Sequence, residues 1–225
     1  MVHLHLGNID FTQKFLVNSY RLALFLEEEI FNLLPHSRRD NMYCRKLKTF
    51  KFRKAIGDTI ENKIEIEEDY NQLFNYVSYE KTGNPGFKYN KDKQHPMGAK
   101  CSYNRETPRY SWLNYVPAMF NTRGDGSNTI EIRSMQGSTN FTKIKNWLLL
   151  FMGFMAFVER YPELINNGIT ISDVIDKIYP KKSKYLNSYF NSKKELFSLS
   201  SSESKEYELE SDFSTKKTIK ELINN

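Results

Sequence analysis

The chain has 225 residues and a mass of 26.6 kDa, enough for one large domain or two small ones. Hydrophobic residues make up 39% of it and aromatics 14%, which excludes intrinsic disorder for the bulk of the chain. Its 33 Lys and Arg against 27 Asp and Glu give a net charge of +6, compatible with an anionic partner but far from a nucleic-acid-binding tail. Two cysteines, Cys44 and Cys101, are too few for a secreted disulfide framework. The opening residues MVHLHLGNIDF lack the basic and apolar regions of a signal peptide. The most apolar stretch, Trp147–Val158, is about a dozen residues against the roughly 20 of a membrane span. These features predict a cytoplasmic protein without a membrane partner.

The first element is a strand. Val2, Leu4 and Leu6 alternate with His3 and His5, so the two sets project from opposite faces. A long helix follows from about Asp10, with Asp10 and Gln13 at capping-box spacing. Phe11, Phe15, Leu16, Leu22, Phe25, Leu26 and Leu33 recur along it at helical intervals, and Pro35 closes it. The segment Ser37–Lys54 is basic, and the acidic stretch Glu61–Asp69 leads into a second helix through Tyr79. Residues 81–108, with Gly83, Pro85, Gly86, Pro96 and Gly98, predict a long loop.

Arg109–Met119 reads as extended and Asn121–Asn128 as a turn. Thr129–Met135 is the next strand, with Ile130, Ile132 and Ser134 on one face and Glu131, Arg133 and Met135 on the other. Gly137–Asn140 breaks it and caps a second long helix through about Arg160, apolar nearly all round and therefore central. Ile169–Ile178 is a short helix stopped by Pro180. The domain is expected to span 1–197. Residues 198–225 form a flexible Ser/Glu-rich tail with a last helix over Thr215–Ile223.

Three segments carry chemistry. The His3-Leu4-His5 pair places two imidazoles on one face, about 6.5–7 Å apart along the strand. They could hold a metal or a phosphate oxygen if that face lines a cleft, although two solvated histidines on an edge strand are the plainer account. Glu131 and Arg133 point the same way. The carboxylate is a hard ligand suited to Mg²⁺ and the guanidinium a clamp for phosphoryl oxygens, with an ion pair on an open sheet as the alternative. Arg109 and Asn114 flank a Tyr-Ser-Trp-Leu run that could bring a second phosphate contact and a ligand-orienting amide, or could merely fill the core. The basic run at 38–54 could meet a phosphate backbone, but its Tyr43, Phe50 and Phe52 match no nucleic-acid recognition module, and a solvated surface is favoured.

Taken in order, HLHLGNIDF, the helix ending LLPHSRRDNMYCRKL, RYSWLN, and NTIEIRSMQGSTNFTKIKNWLLLFMGFMAFVE resemble the amidoligase family over roughly residues 3–159. That family is similar to the carboxylate–amine ligases, glutamine synthetase among them, and keeps frequent company with phage and mobile elements. The resemblance implies an α+β fold, a curved antiparallel sheet backed by long helices, with ATP and Mg²⁺ on the concave face. It also implies ATP-dependent formation of an amide or isopeptide bond through an acyl-phosphate, on an amino-acid or peptide substrate.

By position, His3 and His5 match the nucleotide- and metal-binding strand, with His3 and Glu131 as metal ligands. Arg133 matches the phosphate-contacting arginine, and Arg109 the one that neutralises the transferring phosphoryl group. Asn114 would orient the nucleotide. The family's upstream Glu-x-Glu strand has no counterpart before His3, and Glu65-Ile66-Glu67 comes after the helix. The chain is thus expected to be the C-terminal part of such an enzyme: a fragment, the product of a split gene, or the partner of a second chain that supplies the missing strand. The other expectations are a catalytically inactive descendant acting in binding or assembly, and a basic nucleic-acid-binding protein.

Overall fold

The computed structural model describes residues 3–7, 9–39, 41, 44–47, 70, 73, 111–120, 128–135 and 137–199. Arg109, the long loop expected at 81–108 and the tail beyond residue 199 lie outside the described residues. So does the acidic helix, except for Tyr70 and Leu73, which are helical.

Three short strands form one antiparallel sheet: β1 (Leu4–Leu6), β2 (Leu113–Asn114) and β3 (Ile130–Ile132), with β3 in the centre. Leu4 pairs with Ile132, His5 with Glu131 and Leu6 with Ile130. On the other side Leu113 pairs with Ile132 and Asn114 with Glu131. Because side chains alternate, this register puts Leu4, Leu6, Leu113, Ile130 and Ile132 on the core face. His3, His5, Asn114 and Glu131 fall on the opposite face.

The core face is covered by helices. Helix α1 (Gln13–Asn32) begins at Thr12, whose hydroxyl accepts the Phe15 N–H at 3.1 Å. The expected cap, Asp10, is two residues early. A four-residue helix α2 (His36–Arg39) follows Pro35. The segment 109–119 is not extended throughout: after β2 it turns into helix α3 (Val116–Phe120). Asn114 Oδ1 accepts the Val116 N–H at 3.0 Å, and Pro117 sits in the first turn, where its missing N–H costs nothing.

Helix α4 (Phe141–Arg160) is capped by the Asn140 side chain, which accepts the Lys143 N–H at 3.0 Å. It is long and apolar enough to cross a membrane by length and composition, and it exceeds the dozen apolar residues counted from the sequence. Half of its most apolar window is buried inside the fold, where it packs on α1 and on α5 (Ile171–Ile178). Trp147 stacks on Phe151 with ring centroids 5.6 Å apart, and Trp112 lies 6.2 Å from the same ring.

Two later elements escape the sequence reading, a 3-10 turn at Pro162–Leu164 and helix α6 (Ser183–Leu196). The buried residues of α6 are Leu186 and Phe190, one turn apart. The fold is therefore α+β with a small antiparallel sheet and several helices.

A buried carboxylate ties the layers together. Glu27, on α1, accepts the Trp112 indole N–H at 3.0 Å and also the Leu47 backbone N–H. Beside it the Arg45–Ser111 bridge and the 2.9 Å bond from Trp112 N–H to the Arg45 carbonyl lay the segment after α2 along β2.

Candidate functional site

Glu131 is the centre of the polar face. It sits in the middle strand and is 5% exposed, so water cannot satisfy its carboxylate, and protein groups do. His3 Nδ1 lies 2.6 Å from Oε1, and His5 Nε2 approaches the same oxygen at 4.0 Å. On the other oxygen, Oε2, Asn114 Nδ2 donates at 2.7 Å and Arg133 Nη2 at 3.2 Å. One carboxylate thus gathers groups from β1, from β2 and from the end of its own strand.

The electrostatics follow from this set. Burial alone would push the Glu131 carboxyl up; the Asn114 hydrogen bond and the charges of Arg133, His3 and His5 outweigh it and hold the group below its ordinary value. Glu131 is therefore an anion at neutral pH. For His3, burial lowers the pKa first, and the attraction of Glu131 does not overcome it together with the repulsion of Arg133 and His5. A carboxylate can only accept, so the 2.6 Å contact fixes the proton on Nδ1 of the neutral ring. The lone pair is left on Nε2, which is buried and has no hydrogen-bonding partner.

His5 is steered separately, its Nδ1 lying 3.1 Å from Thr129 Oγ1. Gly7 allows this approach: a Cβ there would lie 3.0 Å from Thr129 Cγ2 and 3.1 Å from the Asn128 carbonyl oxygen.

Of the residues expected at the site, His3, His5, Asn114, Glu131 and Arg133 come together. Arg109 lies outside the described residues. Thr129 was not singled out from the sequence, although its alternation with Glu131 along β3 puts both on one face. Two clefts, of about 590 and 260 Å³, lie elsewhere and are lined by none of these five side chains.

The donor set discriminates between ligands. The Arg133 guanidinium fits the oxygens of a nucleotide polyphosphate, whereas the lone pair on His3 Nε2 can only accept and so suits a hydrogen-bond donor of the ligand. Mg²⁺ is a poorer fit, since it asks for oxygen ligands and both Glu131 oxygens are already engaged. Among the described residues no group of three or more His, Cys, Asp or Glu is arranged to hold a metal ion.

A family model described as "putative amidoligase enzyme" matches residues 1–155. The chain belongs to this amidoligase family, whose description is of a ligase type. No curated protein and no solved structure matches the chain.

Proposed function

We propose that this chain carries the nucleotide-facing part of an ATP-dependent carboxylate–amine ligase, joining an acid and an amine through an acyl-phosphate. The observation that carries the reading is the buried Glu131 carboxylate, gripped on one oxygen by His3 and on the other by Asn114 and Arg133. Family membership supports it.

Bound ATP would supply the phosphoryl group that turns one oxygen of the carboxylate into a good leaving group, phosphate. An oxygen of the acid forms the new bond to the terminal phosphorus as the bond to ADP breaks. The amine nitrogen then attacks the acyl carbon, phosphate leaves, and the nitrogen gives up its proton. Arg133 faces the phosphoryl oxygens and offsets their charge in a site where water is scarce. Glu131 holds Arg133 and His3 in place, and Asn114 holds Glu131. His3 Nε2 and His5 complete the polar wall. Arg109 has the charge to neutralise the moving phosphoryl group, by resemblance alone. Mg²⁺ accompanies the nucleotide in this reading, but no step is assigned to it. The acid and amine are an amino acid or a peptide, and the setting is the cytoplasm.

Calorimetric titration of Mg·ATP into the 225-residue chain tests the reading, with Glu131→Gln alongside and hydroxylamine present in a second assay to trap an acyl-phosphate. The expected result is measurable affinity, at least tenfold weaker in the variant, and acid-dependent ADP release with hydroxamate. Absence of nucleotide binding by the folded chain, or equal binding by Glu131→Gln, would overturn it.

A further inference from the structure

The smaller cleft, of about 260 Å³, opens where the first turns of α1 meet the last turn of α4. Ile9, Phe15 and Val158 give it an apolar lining, and Asp10, Lys14 and Glu159 are exposed at its mouth. Asn18 also lines it yet is only 4% exposed, which places this side chain at the bottom. Among the described residues no hydrogen bond reaches the Asn18 amide, and neither its oxygen nor its nitrogen is sealed off from the cleft. A buried amide that makes no bond to its own protein is rare and asks for an explanation.

The start of α1 supplies half of one. Helical side chains lean toward the helix N-terminus, so Asn18 leans toward Lys14, one turn earlier on the same face. That turn is short of acceptors. The Thr12 hydroxyl takes the Phe15 N–H and the Thr12 carbonyl the Leu16 N–H, but among the described residues the N–H groups of Gln13 and Lys14 have none. No acidic residue lies in the first turn to face the positive end of the helix dipole. This side of the cleft favours an anion. The two carboxylates at the mouth, Asp10 and Glu159, favour a cation, and neither they nor Lys14 form an ion pair among the described residues.

We propose that this cleft binds a small zwitterion, a free α-amino acid with an aliphatic side chain, at a site separate from Glu131. The carboxylate meets the Lys14 ammonium and the open N–H groups at the start of α1. The amino group meets Asp10 and Glu159, and the aliphatic side chain lies on Phe15 and Val158. Asn18 carries both a donor and an acceptor, so one amide at the bottom serves either charged end. The volume falls just under the about 300–1,000 Å³ of sites for drug-sized ligands, which suits a single amino acid better than a longer peptide. The inference draws on this cleft alone and holds whatever ligand the Glu131 face takes.

The test is a backbone-amide chemical-shift titration of the isotope-labelled full chain with L-leucine, beside its singly charged analogues isocaproate and isoamylamine. The variants are Asn18→Ala, Lys14→Gln, Glu159→Gln and, as a control, Lys184→Gln at an exposed position on α6. Near-UV circular dichroism checks each fold. L-leucine is expected to shift the residues that line the cleft in a saturable way, and each analogue to bind about tenfold more weakly. Asn18→Ala is expected to weaken L-leucine about tenfold. Lys14→Gln and Glu159→Gln, at exposed charges, are expected to weaken it about threefold, and Lys184→Gln not at all.

Failure of L-leucine to bind, equal binding of either analogue, or wild-type affinity in Asn18→Ala would overturn the inference. Should Asn18→Ala not fold, wild-type affinity in both Lys14→Gln and Glu159→Gln overturns it instead. Binding that a folded Glu131→Gln variant abolishes would place the ligand at the Glu131 site and overturn it too. None of these outcomes bears on Mg·ATP binding, which tests the ligase reading separately.

Discussion

Asn114 lies directly opposite Glu131 across the sheet, its Nδ2 2.7 Å from Glu131 Oε2, while its own Oδ1 accepts the N–H of Val116. The amide is thus fixed in one orientation, since only its nitrogen can donate to the carboxylate and only its oxygen can accept from the backbone. Asn114→Asp replaces the donor by a second carboxylate at the same distance. One of the two must then take a proton, which raises an apparent pKa of the pair. The variant is expected to lose about 2 kcal/mol of stability at pH 7.5 and to recover part of it near pH 5. Urea denaturation at the two values measures this, and a loss that is equal at both would contradict the pairing.

The depressed pKa values make stability fall on acidification, in two stages. His3 is lowered from 6.5, so below that value the unfolded chain takes up a proton that the folded chain does not. Its contribution is complete above about pH 6.5 and is lost as pH falls through the lowered value. Glu131 is lowered from 4.5, so its contribution holds above that value and is lost further into acid. Denaturation midpoints at pH 7.5, 5.5 and 4 should decline stepwise, and His3→Gln should remove the first step. An unchanged first step in that variant would assign it to another group.

Burial pushes the Cys44 thiol up to about 12, with Arg38 and Arg133 opposing it only in part. The reactive thiolate is therefore scarce at neutral pH. In a Cys101→Ser background, iodoacetamide at pH 7.5 should leave Cys44 unmodified in the native protein and label it fully in urea. Mass spectrometry reads both, and rapid native labelling would mean the segment beside β2 opens readily.

Gly153 lies inside α4 where Tyr179 rests against it. A Cβ there would come 2.8 Å from Tyr179 Cε2, and the ring is tethered by its hydroxyl, which donates to the Leu149 carbonyl at 3.0 Å. On helix propensity alone Gly153→Ala would gain about 1 kcal/mol. Overpacking against a tethered ring costs about 1–3 kcal/mol, so the variant is expected to melt lower than the wild type. Adding Tyr179→Leu should relieve the clash; a rise in melting temperature from Gly153→Ala alone would show that the ring yields.

What could be read from the sequence was what repeats at short range. The alternation of His3 and His5 with leucines, and of Glu131 with isoleucines, put the site's central side chains on one face before any pairing was known. Asn140 and the apolar helix after it were equally legible. Asp10 misled because Thr12, a second capping residue, stands closer to the helix. The turn into α3 went unread because Asn114 and Pro117 are helix-start residues embedded in an aromatic run that looks extended. Helix α6 has only Leu186 and Phe190 to bury among lysines and serines, which is too little periodicity to detect. Thr129 needed the fold: its role depends on its partner at residue 5, and no local pattern records that contact.

The least secured part of the site is the strand that carries its histidines. β1 lies at the edge of the sheet, is three residues long and is nowhere fully buried, with His5 exposed between two half-covered leucines. Glu131, by contrast, sits in the middle strand over the aromatic core. Amide hydrogens of β1 should therefore exchange with solvent long before those of β3 or α4, by an opening that leaves the rest of the molecule intact. Such an opening would detach both imidazoles from Glu131 at once. A ligand held by them would have to close that strand first, so its affinity would include the work of closure, and its arrival would be recorded as slowed exchange at Leu4 and Leu6.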